Sequence, residues 1–387
     1  MKITDVRELS VRLEGNVANA VVSFSDHDVS LVALITDVVR DGRPVVGLAF
    51  NSIGRFAQSG IIRQRMIPRL LAAAPGSLLD ETGQAFDPAK VLAAAMRNEK
   101  PGGHGDRAGA AAALELAVWD LNAKLAGEPA YRTIARAFGC TEVGEADCYA
   151  AGGYYYADGA GKTLSDELRE YTDMGFVAFK MKIGGAPLDV DLKRIEEALK
   201  IAGDGARLSV DANGRFDLKT ALAYAKALEP YKLRWFEEIG DPLDYQLNRE
   251  IIEAYSGPVA TGENLFSLID SVNLVRFGGM RPGKDIFQMD AGLAYGLGDY
   301  GRILDMLETH GFSRKQAYPH GGHLINLHIA VGLGLGGCEA YPGVFQPFGG
   351  YSPACRLNGN RIFPSEAPGF GLEEKENLKP FIDRLLG

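Results

Sequence analysis

The stretch "GFVAFKMKIGG", residues 175–185, sets Lys180 and Lys182 in an otherwise apolar run. Alternate residues of a β-strand share a face, so both ammonium groups project to the same side. Burial and mutual repulsion both disfavour the charged form. The expectation is therefore a pair of amines with lowered pKa, one suited to take a proton near neutral pH.

Polar residues recur downstream at a steady interval: Asp211 with Asn213, then Glu237, Glu263, Asp290 and His320, with Glu339 a shorter step beyond. Asp211 to Glu237 and Glu237 to Glu263 are 26 residues each, and the neighbouring intervals run from 27 to 30. One β/α unit of an eightfold barrel takes roughly 25–30 residues, so each group falls at the end of a successive strand. Asp211, Glu237 and Glu263 then converge, and three adjacent carboxylates cannot all stay ionised without a cation. An all-oxygen set without cysteine suits a hard ion, Mg²⁺. A cation there stabilises the charge that builds up when a carboxylic acid loses its α-proton. Lys182 can take that proton. His320, held by Asp290, can deliver one to a leaving hydroxyl from the other side. Glu339 and Asn213 are placed to hydrogen-bond substrate, whereas Glu238 should point away from Glu237.

Strands must carry these groups, and from about Cys148 the chain alternates short strands with helices. Eight strand candidates follow one another: "CYAAGGYYY", "FVAFKMKIGG", "ARLSVDANG", "LRWFEEIGDP", "VATGENLF", "DIFQMDAG", "RKQAYPHGGH" and "CEAYPG". This pattern predicts an α/β fold with a (β/α)₈-type barrel. The first third reads as an α+β capping domain. "SLVALITDVVRDGRPVVGLAF" signals a hairpin, and Asp87-Pro88 starts a helix. The expected divisions are residues 1–135 for the cap, 136–345 for the barrel, and 346–387 for a tail returning to the cap.

Bulk properties exclude other classes. The 387 residues carry a net charge of −9, which opposes nucleic-acid binding. No apolar run reaches membrane-spanning length, and the charged N-terminus is no secretory signal. The four cysteines form no C-x-x-C, so a cytoplasmic location is expected. His320 and His323 fall in the turn "PHGGH" and do not make a zinc pair. "GLGLGG" follows a helical segment, which argues against a dinucleotide site.

The K-x-K strand, the Asp, Glu and Glu at strand ends and the Asp–His pair resemble the enolase superfamily, mandelate racemase subgroup. Within it, "NEKPGGHG", "AAGGYYY", "VDANGRF", "GDPLDY" and "ATGENLFS" are similar to the D-tartrate dehydratases. A Lys or His base working with Mg²⁺ is an established property of that superfamily. The resemblance implies Mg²⁺ on Asp211, Glu237 and Glu263, Lys182 as base at C2, and His320 with Asp290 as acid at C3. It implies that Lys180 holds the base's pKa down, and that Asn19, Lys100, Tyr154 and Tyr156 contact substrate. The implied reaction is dehydration of a hydroxy-diacid or acid sugar, tartrate giving oxaloacetate, by a homo-oligomer acting on small molecules. One departure stands out: "NSIGRF" places Ile53 where the dehydratase pattern has an amide. A racemase or epimerase on the same residues, and a Schiff-base aldolase using one lysine, are the rival readings.

Overall fold

The computed structural model describes residues 1–15, 17–155 and 163–387. The N-terminal part is a three-stranded antiparallel sheet of β1 (Ile3–Arg12), β2 (Asp28–Arg40) and β3 (Arg43–Phe50). Asp41 and Gly42 both adopt positive φ (49° and 75°), the left-handed pair that lets β2 and β3 form a tight hairpin. Helix α1 (Pro88–Ala95) packs on α2 (Asp106–Ala126), which lies against the sheet. The Asp87 carboxylate caps α1 by accepting from the amides of Ala89 and Lys90. Helix α2 is alanine-rich and buried over most of its length, so it can be approached closely from every side. At Gly47 a β-carbon would come within 2.1 Å of the Ala117 carbonyl oxygen, so only glycine lets β3 pack there. Asp120 of α2 accepts from the amides of Leu48 and Phe370, tying the helix to the cap sheet and the tail.

The barrel strands are β4 (Ala146–Gly152), β5 (Phe179–Lys182), β6 (Leu208–Asp211), β7 (Trp235–Glu237), β8 (Val259–Thr261), β9 (Ile286–Phe287) and β10 (Gly337–Ala340). β4 to β9 pair in order, each parallel to the next, and β10 pairs in parallel with β4. Helices intervene, among them α3 (Leu188–Ala202), α4 (Leu218–Leu228), α5 (Leu297–Thr309) and α6 (Leu324–Gly332). The short strands are buried on both faces, which matches their apolar composition.

Two expectations differ from the structure. The seventh strand, "RKQAYPHGGH", is reduced to a single bridge between Phe287 and Ala317. Pro319 lacks a backbone donor, and Gly321 and Gly322 turn away at positive φ, so no ladder extends. The ring still closes there, with the Tyr318 amide donating to Phe287 and the Gly336 amide to Ala317. The tail also divides. Its last helix, α7 (Lys379–Leu386), meets β1, where Arg7 donates to the Leu385 and Leu386 carbonyls. The hairpin of β11 (Arg356–Asn358) and β12 (Arg361–Phe363) instead adds antiparallel to β4 of the barrel.

Candidate active site

Parallel pairing sets Lys182 beside Asp211 and Asp211 beside Glu237, one row across β5, β6 and β7 at their C-terminal ends. Glu263 follows β8 by two residues. Gly262 between them has φ 125°, and a β-carbon there would press on the Met289 sulfur at 2.7 Å. The turn at Gly262 brings Glu263 to the same place. One carboxylate oxygen from each of Asp211, Glu237 and Glu263 lies within 4.8 Å of the other two.

Two ammonium groups sit among these acids. Lys182 Nζ is 2.5 Å from Asp211 Oδ2, and Lys180 Nζ is 2.5 Å from Glu237 Oε1 and 2.6 Å from Glu339 Oε1. The expected lowering of both lysine pKa values does not occur. Burial pulls the Lys182 ammonium down, but Asp211 pushes it up more than Lys180 pushes it down, and the net shift is upward. Lys180 is likewise opposed by burial and carried well upward by Glu237 and Glu339. Strand spacing reveals the two like charges but not the acids that fold in between them.

The carboxylates have the opposite problem. Burial and the neighbouring acids push Glu237 up to about 8, and burial with Glu263 pushes Glu238 well above its ordinary range. Asp211 falls to about 2 because the two lysines outweigh its burial. Six acids (Asp211, Glu237, Glu238, Glu263, Asp290, Glu339) meet four cationic side chains (Lys180, Lys182, His320, Arg55) around the site. Glu263 Oε2 and Asn213 Oδ1 are buried without a hydrogen-bond partner. Crowded acids whose ionisation is opposed by one another, orphaned oxygens and a purely oxygen donor set fit a hard divalent cation held by Asp211, Glu237 and Glu263.

His320 faces the same cavity from beyond β9. Its Nδ1 is 3.5 Å from Asp290 Oδ2, an ion-pair distance longer than a hydrogen bond, and its Nε2 is 3.1 Å from the Tyr341 hydroxyl. Burial lowers its pKa, but Glu263, Asp290 and Glu339 outweigh that and raise it to about 9. The imidazole is thus a proton carrier at neutral pH. Asp290 is fixed by the Gly292 amide at 2.7 Å. Behind it, Ser52 of the cap bonds His323 Nε2 at 2.9 Å, and His323 Nδ1 caps α6 by accepting from the Asn326 amide.

Lys182, Glu263 and His320 open into a cavity of about 280 Å³, with Asp211, Glu237 and Asp290 outside its lining. Its floor holds Lys182, Asn213, Glu238, Glu263 and His320, and Tyr154 and Tyr341 form walls. The cap supplies the roof: Asn19, Val21, Val22, Phe24, Ile53, Gly54 and Arg55. Asn19 Oδ1 is occupied by the Val21 and Val22 amides at 2.8 and 2.7 Å. Asn213 holds φ 51° and donates to Asp211 at 3.3 Å.

Several expected contacts are placed elsewhere. Lys180 and Glu339 lie beneath the floor, paired with each other, and do not line the cavity. Lys100 is exposed and absent from the lining, its carbonyl accepting from Arg107. The loop carrying it is tied to Arg107, which donates to the Lys100 and Gly102 carbonyls. Tyr156 lies outside the described residues. Glu238 departs in the other direction: its φ of 42° breaks strand alternation, so it turns into the cavity beside Glu237, and Asn264 donates to it at 2.8 Å. Sequence periodicity offers no sign of Arg55, Ser52, Tyr341 or Asn264, which come from loops. A larger cavity of about 640 Å³ near Tyr351 and Lys375 holds none of the groups above. There the Lys375 ammonium is spent on backbone carbonyls, at 2.5 Å from that of Gly349.

Comparison with known proteins agrees with this architecture. L-Talarate/galactarate dehydratase of Salmonella typhimurium is 26% identical over 266 residues, covering 69% of this chain. The match spans 63% of that relative's own length, under two thirds. Among solved structures, a racemase from Streptomyces coelicolor A3(2) with bound magnesium superposes with TM-score 0.77 at 21% identity, covering 98% of both chains. L-Talarate dehydratase from Polaromonas sp. JS666, complexed with Mg and L-glucarate, gives TM-score 0.73 at 22% identity, covering 96% of this chain and 94% of its own. Those likenesses bear on the fold alone, a barrel with a capping domain. Residues 163–378, more than half of the chain and including every group from Lys180 to Glu339, match the enolase C-terminal domain-like family, and the chain belongs to that family.

Proposed function

We propose that the chain is a Mg²⁺-dependent hydro-lyase that dehydrates a hydroxylated carboxylic acid of the acid-sugar class to a 2-keto acid. The observation that carries this reading is the placement of Lys182 and His320 on one cavity, flanking the strands that bear the three carboxylates. Asp211, Glu237 and Glu263 hold the cation. When bound, it supplies positive charge that acidifies the carbon next to a carboxylic acid.

Lys182 removes the C2 proton. As found, it is an ammonium paired with Asp211. Once the charges of Asp211, Glu263 and Glu237 are committed to the cation, burial and Lys180 remain, and both favour the neutral amine. With Glu263 committed to the cation, Asp290 and Glu339 still favour the imidazolium of His320, which gives a proton to the departing C3 hydroxyl. Asp290 and the Tyr341 hydroxyl hold the ring with one nitrogen to each side. Loss of water leaves an enol that tautomerises to the 2-keto acid. Named relatives that act on talarate or galactarate, and the resemblance to tartrate dehydratases, support this substrate class.

The test is a screen of tartrates, aldarates and aldonates with Mg²⁺, followed by 2-keto acid formation. Product that appears with an acid and disappears with EDTA supports the reading. Deuterium exchange at C2 in D₂O without keto acid would replace it with a racemase or epimerase. Turnover that survives EDTA and is trapped by borohydride would replace it with a Schiff-base aldolase.

A further inference from the structure

The roof of the cavity is mostly apolar, with one cation in it. Val22, Phe24 and Ile53 face the floor, and beside them stands Arg55. Unlike Lys180, Lys182 and His320, which all contact acids, Arg55 makes no ion pair with any described residue. Its guanidinium is held in position. Nη2 donates to Asn264 Oδ1 at 2.6 Å, and its carbon centre lies 4.7 Å from the ring centroid of Phe266. The orientation of the Asn264 amide is fixed in turn, because its Nδ2 donates to Glu238 at 2.8 Å. The loop bearing Arg55 also abuts the acid: a β-carbon at Gly54 would lie 3.6 Å from His320 Cε1.

A half-buried guanidinium that is oriented, stacked and unpaired has donors to spare for an anion, and its fork matches a carboxylate. The cavity of about 280 Å³ is close to the volume of roughly nine waters at about 30 Å³ each, room for a short acid. Its apolar roof offers few partners to a long row of hydroxyls.

We propose that Arg55 binds the second carboxylate of the substrate and so makes this site selective for short dicarboxylic acids over monocarboxylic ones. This rests on the dehydratase reading for the position of the first carboxylate, but its test does not require turnover. Binding of malate and succinate, and of their monocarboxylic counterparts lactate and butyrate, is measured by calorimetry on the Mg²⁺-loaded protein. In the wild type the dicarboxylates should bind about 10- to 100-fold more tightly, the range set by one charge-assisted bond. Arg55→Gln should remove that gap, and Arg55→Lys, which keeps the charge without the fork, should restore part of it. Equal binding of the two classes by the wild type, an unchanged gap in Arg55→Gln, or no binding of either class would overturn the assignment. Arg55-dependent binding of dicarboxylates with no turnover of any acid would leave Arg55 assigned and sink the dehydratase reading instead.

Discussion

The floor and the roof of the cavity are built by different rules. The floor consists of strand ends in parallel register, where backbone hydrogen bonds place Lys182, Asp211 and Glu237 in one row. The roof comes from the loop after β3 and the segment around Asn19, held by side-chain contacts such as Ser52 to His323. A repeating backbone fixes position to within a bond length, while a loop can change its side chains without disturbing a sheet. The proposed chemistry therefore falls to the floor and the proposed choice of substrate to the roof.

Breaking the floor should have the largest effect. Lys182→Ala should lower turnover by about 10²–10⁴-fold while the metal still binds, and should abolish C2 deuterium exchange. His320→Asn should lose dehydration to a similar degree but retain that exchange, because removal of the C2 proton does not need the acid. Equal loss of exchange in both variants would show that the two groups do not divide the work.

Changes in the roof should be smaller and should sort acids, not stop the reaction. Ile53→Asn supplies an amide where the roof is apolar. It should lower KM for hydroxyl-rich acids by about 2- to 10-fold, the worth of one neutral hydrogen bond, with kcat little changed. A uniform change across all acids would mean that residue 53 does not meet the substrate.

A separate effect, on stability and not on turnover, concerns the seam between the two regions. Burial holds the pKa of His323 down at about 4, against an ordinary 6.5. Between those values the unfolded chain binds the extra proton, so stability falls as pH drops through 6.5 toward 4 and is fully present above 6.5. The loss amounts to about 3 kcal/mol at most. Urea melts at pH 7.5 and pH 5 should show it, and His323→Asn should flatten the dependence. An undiminished slope in that variant would place the acid sensitivity in another group.

The same contrast explains what the sequence could reveal. A 26-residue repeat of acids is legible because each β/α unit returns the chain to an equivalent position, and that makes the barrel and its three convergent carboxylates visible. The lysine pKa values are not legible, since they depend on neighbours 29 to 159 residues away, Asp211 and Glu339 among them. Glu238 defeats the alternation rule because a single positive φ reverses the direction of its side chain. Lys100 and Arg55 are both cap-loop cations, and nothing in their spacing says which one overhangs the barrel; only the packed loop after β3 decides it. Pro319 and the two glycines after it weigh against a full seventh strand, and that much is readable in "RKQAYPHGGH" itself.

Calorimetric titration of Mg²⁺ into the wild type and into Asp211→Asn, Glu237→Gln and Glu263→Gln tests the central claim most directly. The three acids acting as one site predict a single ion per chain, with affinity reduced at least tenfold in each variant. No binding by the wild type, or affinity unchanged in all three variants, would contradict it.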